Sequence, residues 1–155
     1  MPKIDLASIE QVNRTGYPSP FNQKVGGRWY RRLAPATGLT ELGVCHVVLK
    51  PGAWSSQRHW HDGEDEFLVM LEGEAVLVED DGRTVLRAGD CAAWPKGSTK
   101  GHHLINESDR DCVFICMSGG KNEGGGYSDV DMAFTTEGKF VHKDGSPFGD
   151  ATRPA

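Results

Sequence analysis

A chain of 155 residues, 37% hydrophobic and 25% charged, is long enough to bury one core. A formal charge of −5 without any block of lysines or arginines argues against nucleic acid as a partner, since a phosphate backbone selects a basic stripe. Nowhere do roughly 18 apolar residues run together, so no membrane span is expected, and the opening MPKIDLASIE lacks the apolar core of a secretory signal. The cysteines, Cys45, Cys91, Cys112 and Cys116, form no Cys-X-X-Cys pair and each sits in an apolar stretch. Buried, reduced thiols in the cytoplasm are the expectation.

In chain order, residues 1–12 carry a weak amphipathic pattern (Ile4, Ile9, Val12) that fits a short helix or an arm. Residues 13–40, with Pro18, Pro20 and Pro35, read as an ordered loop wrapping the core. Arg28, Arg31 and Arg32, interleaved with Trp29 and Tyr30, belong to that arm and read as packing on a neighbour more readily than as an anion site. From Leu42 onward short apolar runs alternate with turn chemistry. Strands are expected over residues 42–49, 55–61, 67–72, 74–79, 83–87, 91–94, 102–106 and 112–117. Pro51-Gly52, Glu72-Gly73 and Asp81-Gly82 mark turns between them. Such a series without a helical period points to an all-β protein, a barrel or double-sheet jelly roll. The Gly-rich then polar run-out, 119–155, reads as a second arm anchored by Phe134, Phe140, Val141 and Phe148. Its GGKNEGGG opens no helix and lacks the Gly-Lys-Ser/Thr ending, so it is not read as a phosphate loop. One domain over 1–155 is expected, with its core at about 42–118 and arms at 1–41 and 119–155.

The chemistry concentrates in GAWSSQRHWHDGEDEFLVMLEG (52–73). On a strand, residues two apart share a face and lie roughly 7 Å apart, so His59 and His61 can converge on one ion. Glu66, where the apolar run begins, can bring a carboxylate to it, whereas Glu64 and Asp65 read as solvated turn positions. Strand alternation puts Ser55 and Gln57 on the face of His59, making Gln57 a candidate pocket residue. His46, on the preceding strand, is a second and weaker one. Trp94 reads as core. A further inward histidine is available at His102, four residues before Asn106. Three neutral imidazoles and one carboxylate make a mixed N/O site for a divalent transition metal: Mn, Fe, Co, Ni or Zn.

With these residues placed, the chain resembles the cupin superfamily. The first cupin motif is matched by Gly52, His59, His61, Glu66 and Gly73, with six residues rather than five between Gly52 and His59. The second is matched by Gly89, Pro95, Gly97, His102 and Asn106, with four residues before the histidine where two are usual. The insertion makes His103 a competitor for the last ligand position, and the spacing to Asn106 favours His102. The resemblance implies an antiparallel double-stranded β-helix, or jelly-roll barrel, with N- and C-terminal arms. It also implies one metal held by His59, His61, Glu66 and His102, and pairing into a homodimer through the arms, with Trp29, Tyr30 and Phe134 as contacts.

Two classes of function follow. One is a metal-dependent enzyme on a small molecule, of the isomerase, lyase or dioxygenase type found in the superfamily. The other is a non-catalytic small-ligand-binding or sensing cupin. Small cupins of this kind are also likened to sugar-phosphate isomerases, a chemistry that needs an anion clamp beside the metal. Only Lys100 or an arm arginine offers one, and no general base apart from the four ligands is recognisable.

Overall fold

A computed structural model describes residues 3–148. After a 3-10 turn at Leu6–Ser8, capped by the Asp5 carboxylate on the Ala7 amide (3.0 Å), the elements follow in order. They are β1 (Arg28–Arg32), α1 (Leu33–Thr37), β2 (Leu42–Leu49), β3 (His59–His61), β4 (Glu64–Glu72), β5 (Glu74–Glu79) and β6 (Gly82–Arg87). Then come β7 (Cys91–Trp94), β8 (His103–Ile105), β9 (Cys112–Gly120), β10 (Gly125–Tyr127), β11 (Ala133–Phe134) and β12 (Phe140–Val141). No helix among the described residues is long and apolar enough to cross a membrane.

The strands form two facing walls. One is the sheet β1-β2-β9-β4-β7; the other combines β6-β5-β8 with β12-β11-β10-β3 through single bridges at Trp54–Ile105 and His59–His102. All strand pairs are antiparallel, the jelly-roll arrangement expected from the sequence. The tight turn from β4 to β5 depends on Gly73: its φ of +69° is disfavoured for L side chains, and an added Cβ would stand 2.8 Å from the Asp111 carbonyl.

Alternation along the wall strands grades the interior from apolar to reactive. The inward positions run Leu49, Val47, Cys45 on β2; Met70, Leu68, Glu66 on β4; and Cys112, Phe114, Cys116 on β9. Register aligns them into layers, with Leu49 opposite Cys112, Val47 opposite Phe114, and Cys45 opposite Cys116. The apolar end packs with Ala75, Leu77, Leu86 and Leu104 from the other wall into the hydrophobic core. The opposite end is left as a cavity. Cys112 is buried, Cys45 and Cys116 half-buried, and Cys91 exposed, so the expectation that all four thiols are internal does not hold for Cys91.

Asn106 shows why one motif position is polar yet fully buried. Its amide donates to the Leu49 and Arg110 carbonyls (2.8 and 2.7 Å) and its oxygen accepts from the Ser108 amide and hydroxyl (3.0 and 2.7 Å). It ties the β8–β9 turn to the end of β2.

Both terminal segments contain strands. β1 adds to β2 along the whole length of β1, and Val12 bridges Tyr30. Residues 125–141 are three short strands, of which β10 pairs directly with β3, His59 facing Tyr127 and His61 facing Gly125. The Gly-rich segment is therefore barrel wall at this point. A Cβ at Gly125 would run into the Trp60 carbonyl and the Phe134 ring, so only glycine lets β10 lie this close.

Candidate metal centre

His59 and His61 sit on a strand of only three residues, held on both sides. Its His59 exchanges amide–carbonyl hydrogen bonds with His102 (3.2 and 2.9 Å) on one edge, and β10 pairs along the other. The expected strand over 55–61 is thus shortened. Residues 55–58 bend, and the hydrogen bond from the Ser55 amide to the Leu104 carbonyl (2.8 Å) replaces regular pairing there.

Ligating atoms of His59, His61 and Glu66 all lie within 4.8 Å of one another. That separation suits a single ion at the roughly 2.0–2.2 Å bond lengths of imidazole nitrogen and carboxylate oxygen. His102 joins through Glu66, its Nε2 standing 3.0 Å from Oε2, while His61 Nε2 lies 3.6 Å from Oε1. Glu66 is the hub.

The imidazoles are oriented from behind. His59 Nδ1–H donates to the Gln57 carbonyl (3.0 Å) and His61 Nδ1–H to the Glu64 carboxylate (2.9 Å). Each bond selects the tautomer whose Nε2 lone pair is free to ligate. His102 is stacked face to face on Trp94, centroids 3.8 Å apart and planes 6° from parallel, with its Nδ1 buried and unpartnered. Trp94 is itself fixed by donating to Glu79 (2.8 Å). Phe134 packs edge-on against His61 at 5.0 Å, and Tyr127 stacks on His59 at 5.6 Å. The donor set fits a divalent cation.

Electrostatics agree. Burial pushes His59 down to about 3 against the attraction of Glu66, so the imidazole stays neutral and able to ligate. Burial works to raise Glu66, but the hydrogen bond from His102 and the surrounding imidazoles outweigh it and hold the carboxyl at about 2.

The site opens into a cavity of about 350 Å³, lined by His59, Glu66 and His102 together with Trp94, Cys45, Cys116, Tyr17 and β1 residues. Several sequence expectations change here. Gln57 does not face the cavity: its side chain reaches back to donate to the Phe21 carbonyl (2.8 Å) because the chain bends at 55–58. Nor does His46, which lies between two inward residues, Cys45 and Val47, and so faces out. His103 turns away from the cavity and pairs with the Ser56 carbonyl (2.9 Å), leaving His102 beside Glu66. Glu64 is not a solvated turn residue but starts β4 and holds His61. Trp94 serves as a platform for His102, a role invisible without the β4–β7 register that sets it opposite Glu66. Of the proposed arm contacts, Tyr30 lines the cavity and Phe134 covers His61, while Trp29 lies half-exposed on the far face of β1.

The family model for the cupin domain matches residues 45–118. A sugar phosphate isomerase from a cupin superfamily of Silicibacter pomeroyi is 41% identical, with a TM-score of 0.88 over 96% of this chain and 98% of that one. The polyketide cyclase RemF of Streptomyces resistomycificus is 17% identical, with a TM-score of 0.65 over 84% of this chain and 87% of that one. A Cupin 2 conserved barrel domain protein of Salinispora arenicola is 24% identical, with a TM-score of 0.54 over 76% and 86%. The last two share the fold alone. Among curated proteins none gives a significant match.

Proposed function

The chain belongs to the cupin superfamily, and from that footing we propose that it is a metal-dependent enzyme acting on a small molecule. His59, His61, Glu66 and His102 are the proposed ligands of one divalent ion: Mn, Fe, Co, Ni or Zn. The observation that carries this reading is the convergence of His59, His61 and Glu66 within 4.8 Å, with His59 and Glu66 lining a cavity. Held there, such an ion supplies Lewis-acid polarisation of a carbonyl or enolate, or activation of water or dioxygen.

The chain's own residues do the rest. Glu64 and the Gln57 carbonyl keep two imidazoles in the ligating tautomer. Trp94 and Phe134 flank the ring system, and the packed core closes the barrel beneath it. Among the reaction types open to a cupin, isomerisation is favoured by the Silicibacter pomeroyi protein, described as a sugar phosphate isomerase and 41% identical.

The test begins with metal. Protein loaded with Mn(II) or Fe(II) is assayed for isomerisation of sugar phosphates, for turnover of small diacids and for oxygen uptake. Turnover in one arm, lost in His59→Ala and Glu66→Gln along with bound metal, is the expected result. Stoichiometric metal retained by either variant removes the ligand assignment. A thermal shift with ligands but no turnover in any arm overturns the enzyme reading in favour of a small-ligand-binding cupin.

A further inference from the structure

β1 carries a cation into the barrel that the metal centre does not use. Alternation on this strand turns Arg28, Tyr30 and Arg32 to the cavity, and sends Trp29 and Arg31 outward. The Arg28 side chain is anchored at one point: its Nη1 donates to the Ser55 carbonyl at 2.7 Å, and the guanidinium lies 5.4 Å from the Tyr30 ring centre. Its Nε–H is buried and has no acceptor. A buried donor on a full positive charge is costly to leave unpaired, so an acceptor is expected to complete it.

None of the described residues supplies that acceptor. Arg28 and Arg32 line the cavity with Glu66 as its single carboxylate, and Glu66 is taken up by His102 and His61. Lys100, the other cation considered as a clamp, is exposed and paired with Asp81 outside the cavity. Arg28 shares the cavity wall with Tyr17, Tyr30, Cys45 and Cys116.

We infer that Arg28 is an anion clamp, and that the small molecule entering this barrel is an oxyanion, a carboxylate or phosphate ester. Its charged group accepts from the free Nε–H edge of the guanidinium, a planar fork suited to two oxygens of one group. Its uncharged end then points toward His59 and Glu66 in the same cavity. This orientation rests on the metal reading above; the clamp itself does not.

The experiment separates the two. Inorganic phosphate and malonate are titrated calorimetrically into wild type, Arg28→Gln and Arg28→Lys, each with Zn(II) bound and each after chelation, with zinc content measured in parallel. Wild type is expected to bind at least one probe, the preferred one distinguishing phosphate from carboxylate. Arg28→Gln is expected to lose at least tenfold in affinity while keeping its zinc. Equal affinity in wild type and Arg28→Gln, or no binding of either probe to wild type, overturns the clamp. Binding that persists after chelation and still depends on Arg28 supports the clamp even if zinc never binds. Should Arg28→Gln not fold, Arg28→Lys decides, because a lysine has no planar edge: unchanged affinity for both probes overturns the inference.

Discussion

Lowering the pH of the metal-free protein from 7 to 5 tests the burial of His59. The unfolded chain protonates this imidazole at an ordinary 6.5, whereas burial holds the folded one neutral down to about 3. The unfolded state therefore binds more protons throughout that interval. The stability associated with His59 is complete above 6.5 and is lost as pH falls toward 3. Between pH 7 and 5 that difference amounts to about 2 kcal/mol. Glu66, lowered from 4.5 to about 2, acts in the same direction but mostly below this window. His46 and His103 are also lowered by burial, and they cancel when wild type is compared with a variant that retains them. The assay is urea unfolding with a chelator present, at pH 7 and pH 5, for wild type and His59→Gln. Wild type is expected to lose about 2 kcal/mol more than the variant over this interval. Equal losses in the two proteins would refute the argument that His59 is held neutral by its surroundings.

Three further outcomes follow. Glu64→Ala removes the acceptor for His61 Nδ1–H and is expected to weaken zinc binding by roughly 10–100-fold, measured by chelator competition; an unchanged affinity would mean that the tautomer is set elsewhere. Asn106→Ala strips the Leu49 and Arg110 carbonyls of their buried donor and is expected to cost about 2–4 kcal/mol in urea; a loss indistinguishable from zero contradicts the clamp on the β8–β9 turn. Cys45 is held at about 7 by the hydrogen bond from Cys116 and by Arg32 and Arg28, whereas burial raises Cys112 to about 11. At pH 7.5 iodoacetamide should label Cys45 well before Cys112, and mass spectrometry of the digested protein showing equal rates would contradict these environments.

The sequence was most legible where chemistry is local. His59 and His61 are neighbours on one strand, and their spacing is itself the geometry that makes them converge. The turn residues punctuate the strands closely enough to show an all-β fold, and all eight expected segments overlap observed strands, with 55–61 cut back to His59–His61. The readings that failed extended local alternation past its limit. Gln57 lies ahead of a strand that begins only at His59, so alternation gives it no face. The phase of His46 became known only when β2 paired with β9 and turned Cys45 and Val47 inward.

By itself, the sequence determined the residue types of the candidate metal site, their spacing, and the all-β series of strands that carries them. Tertiary structure decided what surrounds them. Trp94 behind His102, Phe134 over His61, and Arg28 at the cavity wall with a buried, unpaired donor come from segments far apart in the chain. The physical reason is that alternation and turn chemistry act over a few residues, while sheet register between distant strands is set by burying the whole core at once. Which side chains meet in the cavity is settled by that collective packing.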